Sequence, residues 1–269
     1  MPKIQAGAIQ LHYDTFGDGE PLLLIMGFGM PGVAWMPVLP LLSGFNSIYY
    51  DNRGVGNSDR PEGAYTIHGM ADDASALLNA LGIAKAKVYG ISMGGMMAQE
   101  LVLRHPEQVV KLVLGCSSAG GAIAKMAPFD VLEKLISGVK RMASAPAEAL
   151  DTLIALLYPP EFVAAHPEIK GLMLAGLAMV PATPPETADR TVAGLLQFNA
   201  YDLLPQVKCP VLIVHGEKDV VIPPENAVII KSQIPQAEVV MIPNAGHGYW
   251  VSDPVAIHQK IVAWLKSGA

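Results

Sequence analysis

The pentapeptide Gly90-Ile91-Ser92-Met93-Gly94 narrows what this chain can fold into more than any other stretch. Before it stands Ala86-Lys87-Val88-Tyr89, which reads as a buried strand, and after it Gly95 to Leu101, which reads as a helix. G-x-S-x-G between a strand and a helix sets the serine on a sharp turn with its hydroxyl pushed outward. Side chains at 90 or 94 would collide where the backbone reverses, and glycine tolerates strained dihedrals there cheaply. The pentapeptide alone is weak evidence, since about one chain in ten of this composition carries it by chance. The weight therefore falls on whether the chain also supplies a base, an acid and an oxyanion hole.

Downstream of Ser92, Pro210 to His215 is an apolar, β-branched run that reads as a central parallel strand. Asp219 follows it on the loop at the strand's C-terminal end, where open α/β sheets place their chemistry. The next strand, Glu238 to Ile242, leads into Asn244-Ala245-Gly246-His247-Gly248. A histidine between two glycines on such a loop has room to turn its ring either way, and His247 is the expected base. Other candidates fit less well. His215 reads as a strand-end packing residue and His105, before Pro106, as a helix terminus. His12, His68, His166 and His258 have no acidic or serine partner at a comparable strand end. Glu217 is the rival acid, while Asp253 before Pro254 reads as a helix cap.

An oxyanion hole needs two backbone N–H groups aimed at the developing alkoxide. One is expected from Met93, directly after the nucleophile. The other is expected from Phe28 in Gly27-Phe28-Gly29-Met30, the loop after the apolar run Pro21 to Met26; a plain glycine-rich turn is the alternative.

With these residues in hand, the chain resembles serine hydrolases of the α/β-hydrolase fold over nearly its whole length. Asp51-Asn52-Arg53-Gly54-Val55-Gly56-Asn57-Ser58 is similar to that family's D-x-R-G-x-G-x-S segment, whose Asp and Arg are structural there. Ser92-Met93-Gly94-Gly95 is similar to the elbow of small esterases, enol-lactonases and cofactor-free perhydrolases. One departure is Met26-Gly27, where the family commonly has His-Gly before the oxyanion donor. The resemblance implies a triad in the order Ser92, Asp219, His247 and a helical cap between two core strands. It implies chemistry that needs no cofactor and no metal.

The alternation of strands near 22–26, 46–50, 86–89, 110–115, 210–215 and 238–242 with helices near 66–82, 93–104, 224–234 and 254–267 marks a mostly parallel sheet helix-covered on both faces. An N-terminal hairpin is expected over Ile4 to Phe16. On the helix from His68 to Leu81, Asp72 and Asp73 lie off the apolar stripe in ordinary amphipathic packing, and no chemistry is expected of them. Residues 116–210 hold no strand pattern but two helical stripes, Val131-Leu132-Leu135-Ile136-Val139 and Leu150-Leu153-Ile154-Leu157. The expected division is a core over 1–121 and 206–269 with a cap over 122–205. Leu172 to Val180 is apolar on all sides and should be covered on more than one face. Met30, Trp35, Met173, Leu177 and Trp250 are the expected pocket residues, and thirteen methionines suit an adaptable apolar site.

Half the residues are hydrophobic and the net charge is −6, so a large core is easily built and a basic footprint for nucleic acid is absent. No apolar run approaches the ~20 residues of a membrane span, and the start lacks a signal-peptide core. Cys116 and Cys209 are expected as free thiols of a cytoplasmic protein. The expected reaction is hydrolysis of small to medium apolar esters. Lactone hydrolysis and perhydrolysis on the same triad remain open, as does a receptor that merely holds a small molecule.

Overall fold

The apolar runs pair into one eight-stranded sheet in the computed structural model, which describes residues 2–268. The strands are β1 (Lys3–Ala6), β2 (Ile9–Phe16), β3 (Glu20–Ile25), β4 (Phe45–Tyr50), β5 (Ala86–Ile91), β6 (Val109–Gly115), β7 (Val211–Gly216) and β8 (Glu238–Ile242). Their order is β1-β2-β4-β3-β5-β6-β7-β8. The β1–β2 hairpin and its junction with β4 are antiparallel, and every other pairing is parallel.

Period-two alternation sends neighbouring side chains to opposite faces. Leu23, Ile25, Val88, Leu112 and Ile213 pack on one side against α1 (Ile67–Ala80), α2 (Met93–Arg104) and α8 (Glu225–Gln233). Leu22, Leu24, Tyr89, Val113 and Leu212 pack on the other against α9 (Pro254–Lys266). Thr66 Oγ1 caps α1 by accepting from Gly69 N, and Asp253 caps α9 by accepting from Ala256 N. Asp73, off the apolar stripe, is nonetheless buried. Arg53 explains it: its guanidinium donates to both Asp73 oxygens at 2.6 Å, tying α1 to the segment after β4.

The strand order reverses at β3 and β5. The chain leaves β3 toward β4 on one side and enters β5 on the other, so the C-terminal ends of β3 and β5 lie side by side, with Ile25 opposite Gly90. A crevice at such a switch point is where open α/β sheets bind ligands. It also puts the loop after β3 beside the turn after β5.

Between β6 and β7 stand α3 (Phe129–Arg141), α4 (Pro146–Leu157), α5 (Pro160–Ala165), α6 (Ile169–Leu177) and α7 (Pro185–Leu195). The expectation that α6 is covered on more than one face is overturned. No residue of α6 is buried, and Leu172 is 67% exposed. Its Met173, Leu174 and Leu177 rest against Leu150 and Ile154 of α4, while Gly171, Leu172 and Ala175 face outward. Among the described residues no helix is long and apolar enough to cross a membrane, and Cys116 and Cys209 are free thiols.

Candidate active site

Ser92 joins β5 to α2 in a conformation that few side chains adopt, φ 58° and ψ −122°. The strain sits on the serine itself. Gly90 and Gly94 have ordinary φ values and are needed for close approach: a Cβ at 90 would stand 2.2 Å from Gly94 O, and one at 94 would stand 2.1 Å from Ile25 O. The expectation that the glycines absorb the strained dihedrals is corrected accordingly. Ser92 N donates to Gly115 O, and Ser117 Oγ donates to Ser92 O, so the turn is bonded on both sides to the end of β6 and the residues just after it.

Ser92 is half-buried, and its Oγ lies 2.9 Å from His247 Nε2. His247 Nδ1 lies 2.7 Å from Asp219 Oδ2. The carboxylate can only accept, so Nδ1 carries the proton and leaves an Nε2 lone pair for the serine hydroxyl. Asp219 Oδ1 accepts from Val221 N at 2.8 Å and Ile222 N at 2.9 Å, and the side chain is buried. Burial pushes its carboxyl up, but the His247 and His215 imidazoles held against it, whose protonated forms it attracts, bring it down to about 2. Glu217, the rival acid, is exposed.

The expectation that His247 has room to turn is also overturned. The ring is buried, and its flanking glycines are there because Leu157 and Tyr158, at the end of α4, press on them. A Cβ at Gly246 would stand 2.6 Å from Leu157 O, one at Gly248 would stand 2.3 Å from the Tyr158 ring, and Gly248 N donates to Leu157 O at 2.8 Å.

Met93 opens α2 and Phe28 follows Gly27, whose Cβ, were there one, would stand 3.1 Å from Ser92 Cβ. Neither the Met93 nor the Phe28 N–H has an acceptor among the described residues. Three polar contacts hold the Phe28 loop. Asn52 Nδ2 donates to Met26 O, Gly32 N donates to Asp51 Oδ1, and Thr183 Oγ1 donates to Gly29 O. The loop thus keeps polar struts although it lacks the histidine that the resemblance would supply before Gly27.

A cavity of about 310 Å³ lies between this loop and the inserted helices, lined by residues including Gly29, Met30, Val139, Leu153, Leu177 and Thr183. Met30 and Leu177 stand where pocket residues were expected. Three others do not line it. Trp35 is fully buried beneath the sheet with its ring 4.9 Å from that of Tyr89, because the chain turns inward at Gly32–Trp35. Met173 faces Leu150 and Ile154 on α4, and Trp250 packs edge-on to Tyr249 in the lower core.

Sequence reasoning missed two further contacts. His215, read as packing, is fully buried with Nε2 3.2 Å from Asp219 Oδ2; the signal was its spacing of four from an acid across a tight turn. His12, expected to have no acidic partner at a strand end, does have one: its Nδ1 lies 2.9 Å from Oδ2 of Asp51, the first residue past β4, brought there by the antiparallel pairing of β2 with β4. For metals, Cys116, Asp219 and His247 bring one ligand atom each within 4.8 Å of one another. The Asp219 and His247 atoms are already engaged by Ser92, Val221, Ile222 and each other, and burial beside Asp219 pushes the Cys116 thiol up, away from the thiolate a metal needs.

A family model described as alpha/beta hydrolase fold matches residues 20–249. The provisionally named carbamate hydrolase RutD of Caulobacter vibrioides is 30% identical over 99% of this chain and 99% of its own. An esterase structure from Thermogutta terrifontis is 28% identical, with a TM-score of 0.80 over 98% of this chain and 97% of that one. The structure of Est816, titled an N-acyl homoserine lactone degrading enzyme, is 27% identical, with a TM-score of 0.79 over 98% and 100%.

Proposed function

The chain belongs to the alpha/beta hydrolase fold family, and from that premise we propose that this hydrolase is a serine carboxylic ester hydrolase working through an acyl-enzyme. The observation that carries the proposal is the unbroken line of contacts from Ser92 Oγ through His247 to Asp219, at 2.9 and 2.7 Å.

Ser92 Oγ attacks the acyl carbonyl as its proton passes to His247 Nε2. Asp219 balances the imidazolium charge and keeps Nε2 aimed at the serine. The Met93 and Phe28 N–H groups hold the developing oxyanion, helped by the positive end of α2. When the tetrahedral intermediate collapses, the C–O bond to the leaving alcohol breaks and that oxygen takes the proton from Nε2. Water then gives its proton to His247 and attacks the acyl-serine, releasing the acid and restoring Ser92. The cavity beside Met30 and Leu177 suits an apolar acyl group, and the helices between β6 and β7 act as a cap over it.

Ser92→Ala tests the reading. Burst release of p-nitrophenol from p-nitrophenyl acetate should vanish, and a fluorophosphonate should add mass at Ser92 of the wild type and nowhere else. Residual turnover within about tenfold of wild type, ~1.4 kcal/mol of barrier, overturns it. A second reading, lactone hydrolysis, is favoured by the apolar cavity next to the oxyanion loop together with the likeness to Est816. A panel of apolar esters and acylated lactones matched in carbon number separates the two.

A further inference from the structure

The Asp219 loop is held by more than backbone. His215 stands at the end of β7, fully buried, four residues before the acid. Its Nε2 lies 2.8 Å from Ile222 O and 3.2 Å from Asp219 Oδ2. Both neighbours are acceptors, so Nε2 carries the ring proton; it donates to Ile222 O, with Asp219 Oδ2 in close electrostatic contact beside it. Nδ1 has no partner among the described residues; as a lone pair it is cheaper to leave unpaired than an N–H would be. Oδ2 is the same oxygen that receives His247 Nδ1, while Oδ1 is taken by Val221 N and Ile222 N. The turn from Asp219 to Ile222 is therefore closed at both ends by one imidazole edge.

Resting on the triad reading above, we propose that His215 is a positioning residue: its Nε2–H, bonded to Ile222 O and facing Asp219 Oδ2, clamps the Asp219–Ile222 turn and keeps Oδ2 aimed at His247 Nδ1. A residue there only to fill space would need no donor. The donor has two consequences. Without it the carboxylate can swing, and the imidazole loses its orientation in the transition state. Without it Oδ2 also loses the positive N–H edge that faces it at 3.2 Å, so it is more basic and holds the His247 imidazolium more tightly. Other titratable groups face the pair from each packed element. From β6 comes the Cys116 thiol; behind Gly115 stand the bonded Tyr89 and Tyr249 hydroxyls. Burial pushes the thiol and both phenols well up, so none of them competes as a charge.

Gln can present its amide nitrogen near the place of Nε2, whereas Asn is too short and Leu has no donor. His215→Leu and His215→Asn should lower kcat for p-nitrophenyl acetate by about 10–100-fold with KM within about threefold of wild type. The acid-limb midpoint of kcat/KM should move to higher pH in both. His215→Gln should restore kcat to within about threefold and return the midpoint. The low-field proton resonance of the His247 Nδ1–H···Asp219 bond should shift in the Leu and Asn variants and not in Gln, a readout that needs no turnover. If His215→Leu does not fold, the Gln and Asn pair decides. Equal kcat, equal midpoint and equal resonance in those two overturn the proposal. Wild-type protein that turns over no ester and takes no fluorophosphonate overturns the triad reading instead, and the resonance comparison then still judges the clamp.

Discussion

At the residue scale the site depends on which of two acids touches the imidazole. Asp219 accepts from His247, and exposed Glu217 does not. Asp219→Asn should therefore lower kcat by on the order of 10⁴, as loss of an orienting carboxylate does in triad enzymes, while Glu217→Gln costs little. The same aspartate links the site to acid stability. Its carboxyl is depressed from 3.8 to about 2, so its contribution is present above pH ~4 and lost as pH falls toward 2. That shift corresponds to roughly 2–3 kcal/mol, which urea titrations of Asp219→Asn and wild type at pH 6 and pH 2 should register as a smaller pH dependence in the variant. Ser92, Asp219 and His247 were legible in the chain because each sits just past a strand, where the fold gathers its loops. His215 was not, because it lies inside the strand pattern and its hydrophobic neighbours make it look like filling. Nor could spacing alone reveal that Leu157 and Tyr158 press on the glycines beside His247.

At the scale of elements, the core strands and helices followed from apolar periodicity, and their observed limits differ from expectation by a residue or two. The inserted helices were harder to read. Periodicity tells which face of a helix is apolar and not whether another element covers it. On α3 the stripe Val131, Leu132, Leu135 and Ile136 is only half-buried, and Val139 alone reaches full burial, against Leu153 and Ala188. On α6 the apolar surface outruns what α4 can cover. The two helices should respond differently to substitution. Leu172→Ser, on the open face of α6, should change unfolding free energy in urea by no more than about 0.5 kcal/mol. Leu153→Ala, buried between α3 and α4, should cost about 2–5 kcal/mol. An equal loss in the two variants would mean that α6 is covered in solution.

Across the whole molecule, the switch point between β3 and β5 brings Phe28 to Ser92, and the inserted helices press on both the Phe28 loop and the His247 loop. On the proposed reading, substrate choice is set where core and insertion meet. Each methylene added to a linear acyl chain should gain about 0.8 kcal/mol of burial until the cavity is full. In a p-nitrophenyl ester series, kcat/KM should climb over the first carbons and then fall, and a succinate half-ester should be rejected for its unpaired carboxylate. A flat or inverted profile would place the acyl group elsewhere. Residues 116–210 leave β6 and return to β7, and those two strands are hydrogen-bonded neighbours whatever lies between them. The entropy of closing such an excursion grows only logarithmically, at ~0.6 kcal/mol for each doubling of its length. Mutation can therefore lengthen, shorten or rebuild the insertion for little thermodynamic penalty while the sheet holds the reacting groups in register. A lineage carrying this fold can change its diet without relearning its chemistry.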